Sequence, residues 1–165
     1  MLPPKPSRFL PAVEPRQARF AETSPPFIKQ RQRHRGRRAT GIRYETKVQR
    51  ILGERYGNYI ASPWLTFVDV SGRLHWCQPD GFLIDIKKGQ IIIIEMKIKH
   101  TSDSWWQLWY LYLPVMKAIF PTFEFRVLEV VKWFDPQVVF PDFCMTENIL
   151  YPPKAPHTGV HILRA

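Results

Sequence analysis

Cysteine is nearly missing from this chain: Cys77 and Cys144 are the only two in 165 residues. They are far apart and form no C-x-x-C pair, which excludes a disulfide framework and a cysteine zinc site and leaves both as packed thiols. The five histidines offer no substitute. His157 and His161 are four apart, but Pro156 and Gly159 argue against a helix that would align them. Long apolar runs are missing too. Ile91 to Ile94 is far too short to span a bilayer, and the first residues lack an apolar signal core, so a soluble, intracellular, cytoplasmic protein with no membrane partner is expected.

Acidic residues are scarce. Lys and Arg number 24 against 14 Asp and Glu, giving a formal charge of +10. Ten basic and two acidic residues fall between Met1 and Arg38, so this segment alone carries +8. Seven prolines lie within Met1 to Pro26, and a run of Lys29, Arg31, Arg33, Arg35, Arg37 and Arg38 follows without apolar periodicity. Arginine forks spaced this way suit phosphate contacts, so nucleic acid is the expected partner and these six residues its binding set. The length accommodates one core. We therefore expect a flexible basic Pro/Arg-rich arm over 1–38 and one domain over 39–165, with the Pro-rich part of the arm also able to engage a protein partner.

The segment from Gln78 to Lys97, QPDGFLIDIKKGQIIIIEMK, reads as a β-hairpin with its turn at Lys87-Lys88-Gly89. Gln90 to Ile98 is β-branched and proline-free. Side chains alternate along a strand, so Ile92, Ile94, Met96 and Ile98 share one face and Glu95 and Lys97 the other. Charges inside an isoleucine-rich strand are costly unless they bind something charged. The hairpin brings Asp80 beside them. Two carboxylates and one ammonium at the end of a buried strand suit phosphodiester hydrolysis, with hard oxygen ligands for Mg2+ or Mn2+ and a cation to orient water. On an exposed edge the same residues would be ordinary solvated surface.

Pro79-Asp80 and Glu95-Met96-Lys97 together resemble the motif of the PD-(D/E)XK nuclease superfamily, over roughly Thr40 to Phe134. The resemblance implies metal ligation by Asp80, Glu95 and the backbone carbonyl of Met96, with Lys97 positioning the attacking water. Resolvase-like members carry a further acid on the first helix that joins the metal site, and Glu45 in Gly41-x-x-Tyr44-Glu45 resembles it, which implies Glu45 as a further metal ligand. Virus-type replication–repair members carry a glutamine that points into the active site from the helix after the E-x-K strand, and Gln107 resembles that, which implies contact with water or phosphate. Exonuclease-like branches place a tyrosine four residues after that glutamine, where this chain has Leu111, with tyrosines at 110 and 112, so the exonuclease subtype is not implied.

Helical periodicity places Tyr44, Val48, Ile51 and Leu52 on one stripe of a helix from about Gly41 to Tyr56, capped by Thr40, with Glu45 at its border. A second helix is expected from about Ser104 to Phe120, capped within Thr101-Ser102-Asp103 and kinked or divided by Pro114. Trp64–Val70 and Arg73–Trp76 flank a Ser71-Gly72 turn, Phe123–Trp133 reads as a strand, and a short strand is expected near Val160–Leu163. The expected fold is α/β, one small mixed sheet with a helix on each side in an αβββαβ order.

The expected function is a Mg2+-dependent DNA endonuclease, with Mn2+ able to substitute, acting on branched, mobile-element or viral replication DNA. RNA stays open as a substrate, because such a centre attacks a phosphodiester without reading the sugar. A homodimer or larger complex is open, the sequence leaving the oligomeric state undetermined. The competing reading is a non-catalytic basic nucleic-acid-binding or assembly protein with a nuclease-like fold. The complete set Glu45, Asp80, Glu95 and Lys97 favours the enzyme.

Overall fold

A computed structural model describes residues 13–28, 35–133 and 159–165. The chain is mixed α/β with two sheets. In order, the elements are β1 (Arg16–Phe20), α1 (Arg37–Arg55), β2 (Tyr59–Ala61), β3 (Leu65–Val68), β4 (Leu74–Cys77), β5 (Gly81–Asp85), β6 (Gln90–Lys99), α2 (Ser102–Gln107), a π-helical turn (Leu108–Tyr112), α3 (Leu113–Ile119), β7 (Glu124–Trp133) and β8 (Gly159–Ile162).

The larger sheet has the order β2-β5-β6-β7-β8. β5 pairs antiparallel with β6 through the expected turn, where Gly89 takes a left-handed φ of 63°. β7 then pairs parallel with β6, and the helical region α2–α3 makes the crossover that a parallel pair requires. The run of four isoleucines Ile91–Ile94 in β6 follows from the strand's central place. Ile91 and Ile93 pack with Trp105, Leu108, Tyr112 and Met116 on one face, whereas Ile94 and Met96 pack with Tyr44, Val48 and Leu52 of α1 on the other. A strand covered on both faces needs apolar side chains at both parities.

Four expectations are corrected. The single sheet is two, because β3 and β4 pair with β1 in a separate antiparallel sheet of order β1-β3-β4 while the short β2 takes the edge beside β5. The arm over 1–38 is not wholly separate from the domain. β1 pairs with β3, the Phe20 ring packs against Phe82 and Phe120, and Arg37 and Arg38 belong to α1. The cap of α1 is Gly36 rather than Thr40, which sits in the first turn and donates its hydroxyl to the Gly36 carbonyl. The second helix starts earlier than expected, at Ser102, where the Thr101 side chain accepts from Ser104 N–H, and it passes through a π turn just before Pro114. Proline has no N–H for the carbonyl four residues back. That carbonyl, Tyr110's, instead accepts from Val13 N–H at 3.1 Å, so the arm repairs the bond that Pro114 removes.

Candidate active site

β5 and β6 stay paired only as far as Gly81 opposite Ile94. Before Gly81 the chain turns away, and the reason is local. The Asp80 carbonyl accepts from Ser62 N–H at 2.9 Å, from Gln49 Nε2 at 3.2 Å, and from the Tyr59 and Ser62 hydroxyls at 3.3 Å each. Ser62 adopts a φ of 42°, a strained conformation for a residue with a side chain. These bonds fix the backbone and turn the Asp80 carboxylate back toward β6, where Oδ2 accepts from Met96 N–H at 2.6 Å.

Three sequence-predicted residues thus meet at the end of the paired strands. Lys97 Nζ stands 2.5 Å from Glu95 Oε1 and 4.0 Å from Asp80 Oδ2. Glu95 is 2% exposed, and its second oxygen, Oε2, is buried with no hydrogen-bond partner. The N–H and C=O of a strand residue project to the same edge. Since the Met96 N–H meets Asp80, the Met96 carbonyl faces that same open edge.

Glu45 joins the group from α1. It is half-buried, and Gln49 Nε2, one turn on, reaches its Oε1 at 3.3 Å. Burial, then the nearby Asp80, pushes its pKa up to about 7 against the pull of Lys97. Glu95 is pushed up to about 8 by burial and then by Asp80, with Glu129 adding to the shift. Asp80 is also raised, chiefly by burial, although Lys97 and the Met96 N–H favour its charged form. Burial alone would lower Lys97, but Glu95 and Asp80 outweigh it and leave it raised. Three carboxylates share one ammonium here.

Among the described residues, no group of three or more His, Cys, Asp or Glu side chains is arranged to hold a metal ion. Any ion here would draw on fewer side chains, namely Asp80 and Glu95, together with the Met96 carbonyl, and the expected third carboxylate, Glu45, does not complete a three-acid set with them. The orphaned Glu95 oxygen and the uncompensated acid cluster fit such a cation, which would supply the charge that the protein lacks.

Gln107 is half-buried, and no hydrogen bond among the described residues joins it to Asp80, Glu95 or Lys97. Tyr112 of the π turn lies nearer the chemistry. Its hydroxyl donates to the Gln78 carbonyl at 3.1 Å, and burial, then the charges of Glu95 and Asp80, raises its pKa. Sequence reasoning also missed Glu129, the cross-strand neighbour of Glu95, which is fully buried and takes hydrogen bonds from Ser104 Oγ and Thr101 N–H while meeting His100 Nδ1. One acid inside the run Val127-Leu-Glu-Val-Val131 was the available signal. Of the basic set, Lys29, Arg31 and Arg33 lie outside the described residues, while Arg35, Arg37 and Arg38 are exposed at the start of α1. There Arg35 and Arg43 line an open cavity of about 500 Å3. Compared with family models, curated proteins and solved structures, the chain matches none.

Proposed function

We propose that this protein is a divalent-metal-dependent nuclease acting on DNA, with a restriction-endonuclease-like core. The observation that carries the reading is the convergence of Asp80, Glu95 and Lys97 where β5 leaves β6, with Glu95 Oε2 buried and unpartnered. Topology supports it as well. With the β3–β4 excursion set aside, the order α1, β2, β5, β6, α2–α3, β7 is αβββαβ, and β2-β5-β6-β7 are neighbours in that sequence in the sheet.

In this reading Asp80, Glu95 and the Met96 carbonyl hold Mg2+ or Mn2+. Once bound, the ion neutralises charge on the scissile phosphate and acidifies a water. Lys97 Nζ orients the attacking water and offsets negative charge growing on the phosphoryl oxygens. Glu45, with a pKa of about 7, can take up at its carboxylate the proton that the water loses. Gln49, Ser62 and Tyr59 hold the Asp80 backbone in register. The basic arm and the arginines at the start of α1 supply phosphate affinity, DNA being the first expectation and RNA a second substrate for the same test.

The test is incubation of the purified protein with linear, supercoiled, single-stranded and four-way-junction DNA, and with RNA, in Mg2+, Mn2+ or EDTA. Cleavage that needs the ion and disappears in Lys97→Met is the expected result. Binding without cleavage of any substrate in either ion overturns it in favour of a non-catalytic nucleic-acid-binding protein.

A further inference from the structure

The small sheet has a second surface that the metal centre does not use. Leu65, Phe67 and Cys77 belong to the core cluster, so alternation turns Thr66 and Trp76 to the opposite face. There the register sets three side chains in one row across the strands: Arg19 of β1 opposite Thr66 of β3, and Thr66 opposite Trp76 of β4. The chain after β1 walls one side of a half-open cavity of about 230 Å3, lined by Arg19, Glu22, Thr66 and Trp76 among others. The Trp76 ring is fixed by two edge-on aromatic contacts, Phe27 and Trp64, each 6.5 Å away between ring centres.

Thr66 gives this cavity a chemical demand. It is 4% exposed and its Oγ1 has no hydrogen-bond partner, although the residue lines the cavity. A buried hydroxyl without a partner costs free energy unless a ligand satisfies it. Arg16 and Arg19 are exposed on β1 at the same surface. An indole face, a cation and a threonine with an unsatisfied hydroxyl line one small cavity together with Glu22, and the first three match a base, its phosphate and its polar edge. The volume lies below the range of about 300–1,000 Å3 typical of sites for drug-sized ligands, which suits a single planar group.

We propose that this cavity is a subsite for one unpaired nucleotide: the base lies against Trp76, its edge hydrogen-bonds to Thr66 Oγ1, and Arg19 meets its phosphate. What this says of the substrate rests on the nuclease reading. Trp76 and Asp80 are four residues apart along the chain, a reach of at most ~14 Å, so a strand whose base occupies the cavity passes close to the candidate centre. A single-stranded or frayed segment is then selected over a blunt duplex.

The test measures binding by the full-length protein in EDTA, using a fluorescein-labelled oligothymidylate and a blunt duplex of the same length. Trp76→Leu should weaken oligothymidylate binding about tenfold and leave duplex binding unchanged, since base–aromatic stacking is lost. Trp76→Phe should recover most of the loss. Thr66→Val keeps the shape without the hydroxyl, so it should lower single-strand affinity about fivefold while raising the melting temperature. Wild-type single-strand affinity in both Trp76→Leu and Thr66→Val, or an equal loss on the duplex, overturns the proposal. Without a divalent ion no cleavage enters the measurement. A nuclease whose single-strand binding ignores Trp76 loses only the subsite, and a Trp76-dependent binder that never cleaves loses only the nuclease reading.

Discussion

The backbone N–H of Met96 donates to Asp80 Oδ2 across 2.6 Å, just past the last ladder pair of Gly81 with Ile94. One hydrogen bond thereby joins the two halves of the charged motif and orients the Asp80 carboxylate. The aspartate acts as a substitute ladder partner for β6 at the point where β5 leaves.

Asp80→Asn keeps an oxygen for Met96 while removing a charge. Calorimetric titration should show loss of Mn2+ binding, and cleavage should vanish. The melting temperature should hold or rise, because one of three mutually repelling carboxylates is gone. Lys97→Met should retain ion binding yet lose about 100-fold or more in rate. Unchanged Mn2+ affinity in Asp80→Asn would remove that residue from the centre.

Glu45→Gln separates an acid that serves the Asp80–Glu95 centre from one that merely faces solvent. Its expected signature is a higher Mg2+ requirement for the same rate, with a stability change within about 0.5 kcal/mol. Because Glu45 titrates at about 7, a rate limb near that pH should also disappear. Superimposable Mg2+ titrations for the two proteins would return Glu45 to the surface.

The charged trio was legible because two periods overlap. A strand's alternation placed Glu95 and Lys97 together, and the turn at Lys87-Lys88-Gly89 fixed Asp80 opposite them. The β3–β4 pair was legible as a hairpin, but its partner was not, since nothing local in Arg16–Phe20 says that it will pair with Leu65–Val68 across some fifty residues. The supports of Asp80 were hidden for the same reason: Gln49, Tyr59 and Ser62 are unremarkable in sequence and gain meaning only when three elements meet at one carbonyl. Thr66 reads as a plain strand residue until its hydroxyl is found buried without a partner.

Gly81 is tightly constrained. A Cβ there would stand 2.4 Å from the Tyr59 hydroxyl and 2.7 Å from its ring carbon Cζ. Gly81→Ala must displace Tyr59, whose hydroxyl donates to the Asp80 carbonyl. A loss of about 1–3 kcal/mol in urea unfolding is expected, together with reduced cleavage, because the residue before the substitution is Asp80 itself. Wild-type stability and rate would show that Tyr59 can swing aside freely.

Removing residues 1–20 takes away β1, exposes the free edge of β3, uncovers Phe82 and Phe120, and takes the Val13 N–H from the Tyr110 carbonyl. The truncated protein should unfold at lower urea and aggregate on warming, which light scattering would detect. A purely electrostatic arm predicts otherwise, with stability intact and only the salt dependence of DNA binding flattened.

The acid cluster sets a pH dependence whose sign is fixed. Glu95 at about 8 and Glu45 at about 7 both titrate above the 4.5 of a free glutamate, and Asp80 above its usual 3.8, with burial the first cause in each. Over that interval the folded protein holds more protons than the unfolded chain. Their contribution to stability is therefore complete below about pH 4 and is lost as pH rises through about 8. Asp69 acts in the opposite sense, its pKa lowered by hydrogen bonds from Ser71, His75 and the Arg73 backbone, but only in acid below its usual range. In EDTA the melting temperature should fall from mildly acid to mildly alkaline pH. Mn2+ should restore it most at the alkaline end, since the ion binds deprotonated carboxylates. Glu95→Gln should flatten the fall and shrink the Mn2+ effect together. Scanning calorimetry across this range decides the matter, and a melting temperature indifferent to both pH and Mn2+ would mean that these carboxylates do not share one buried site.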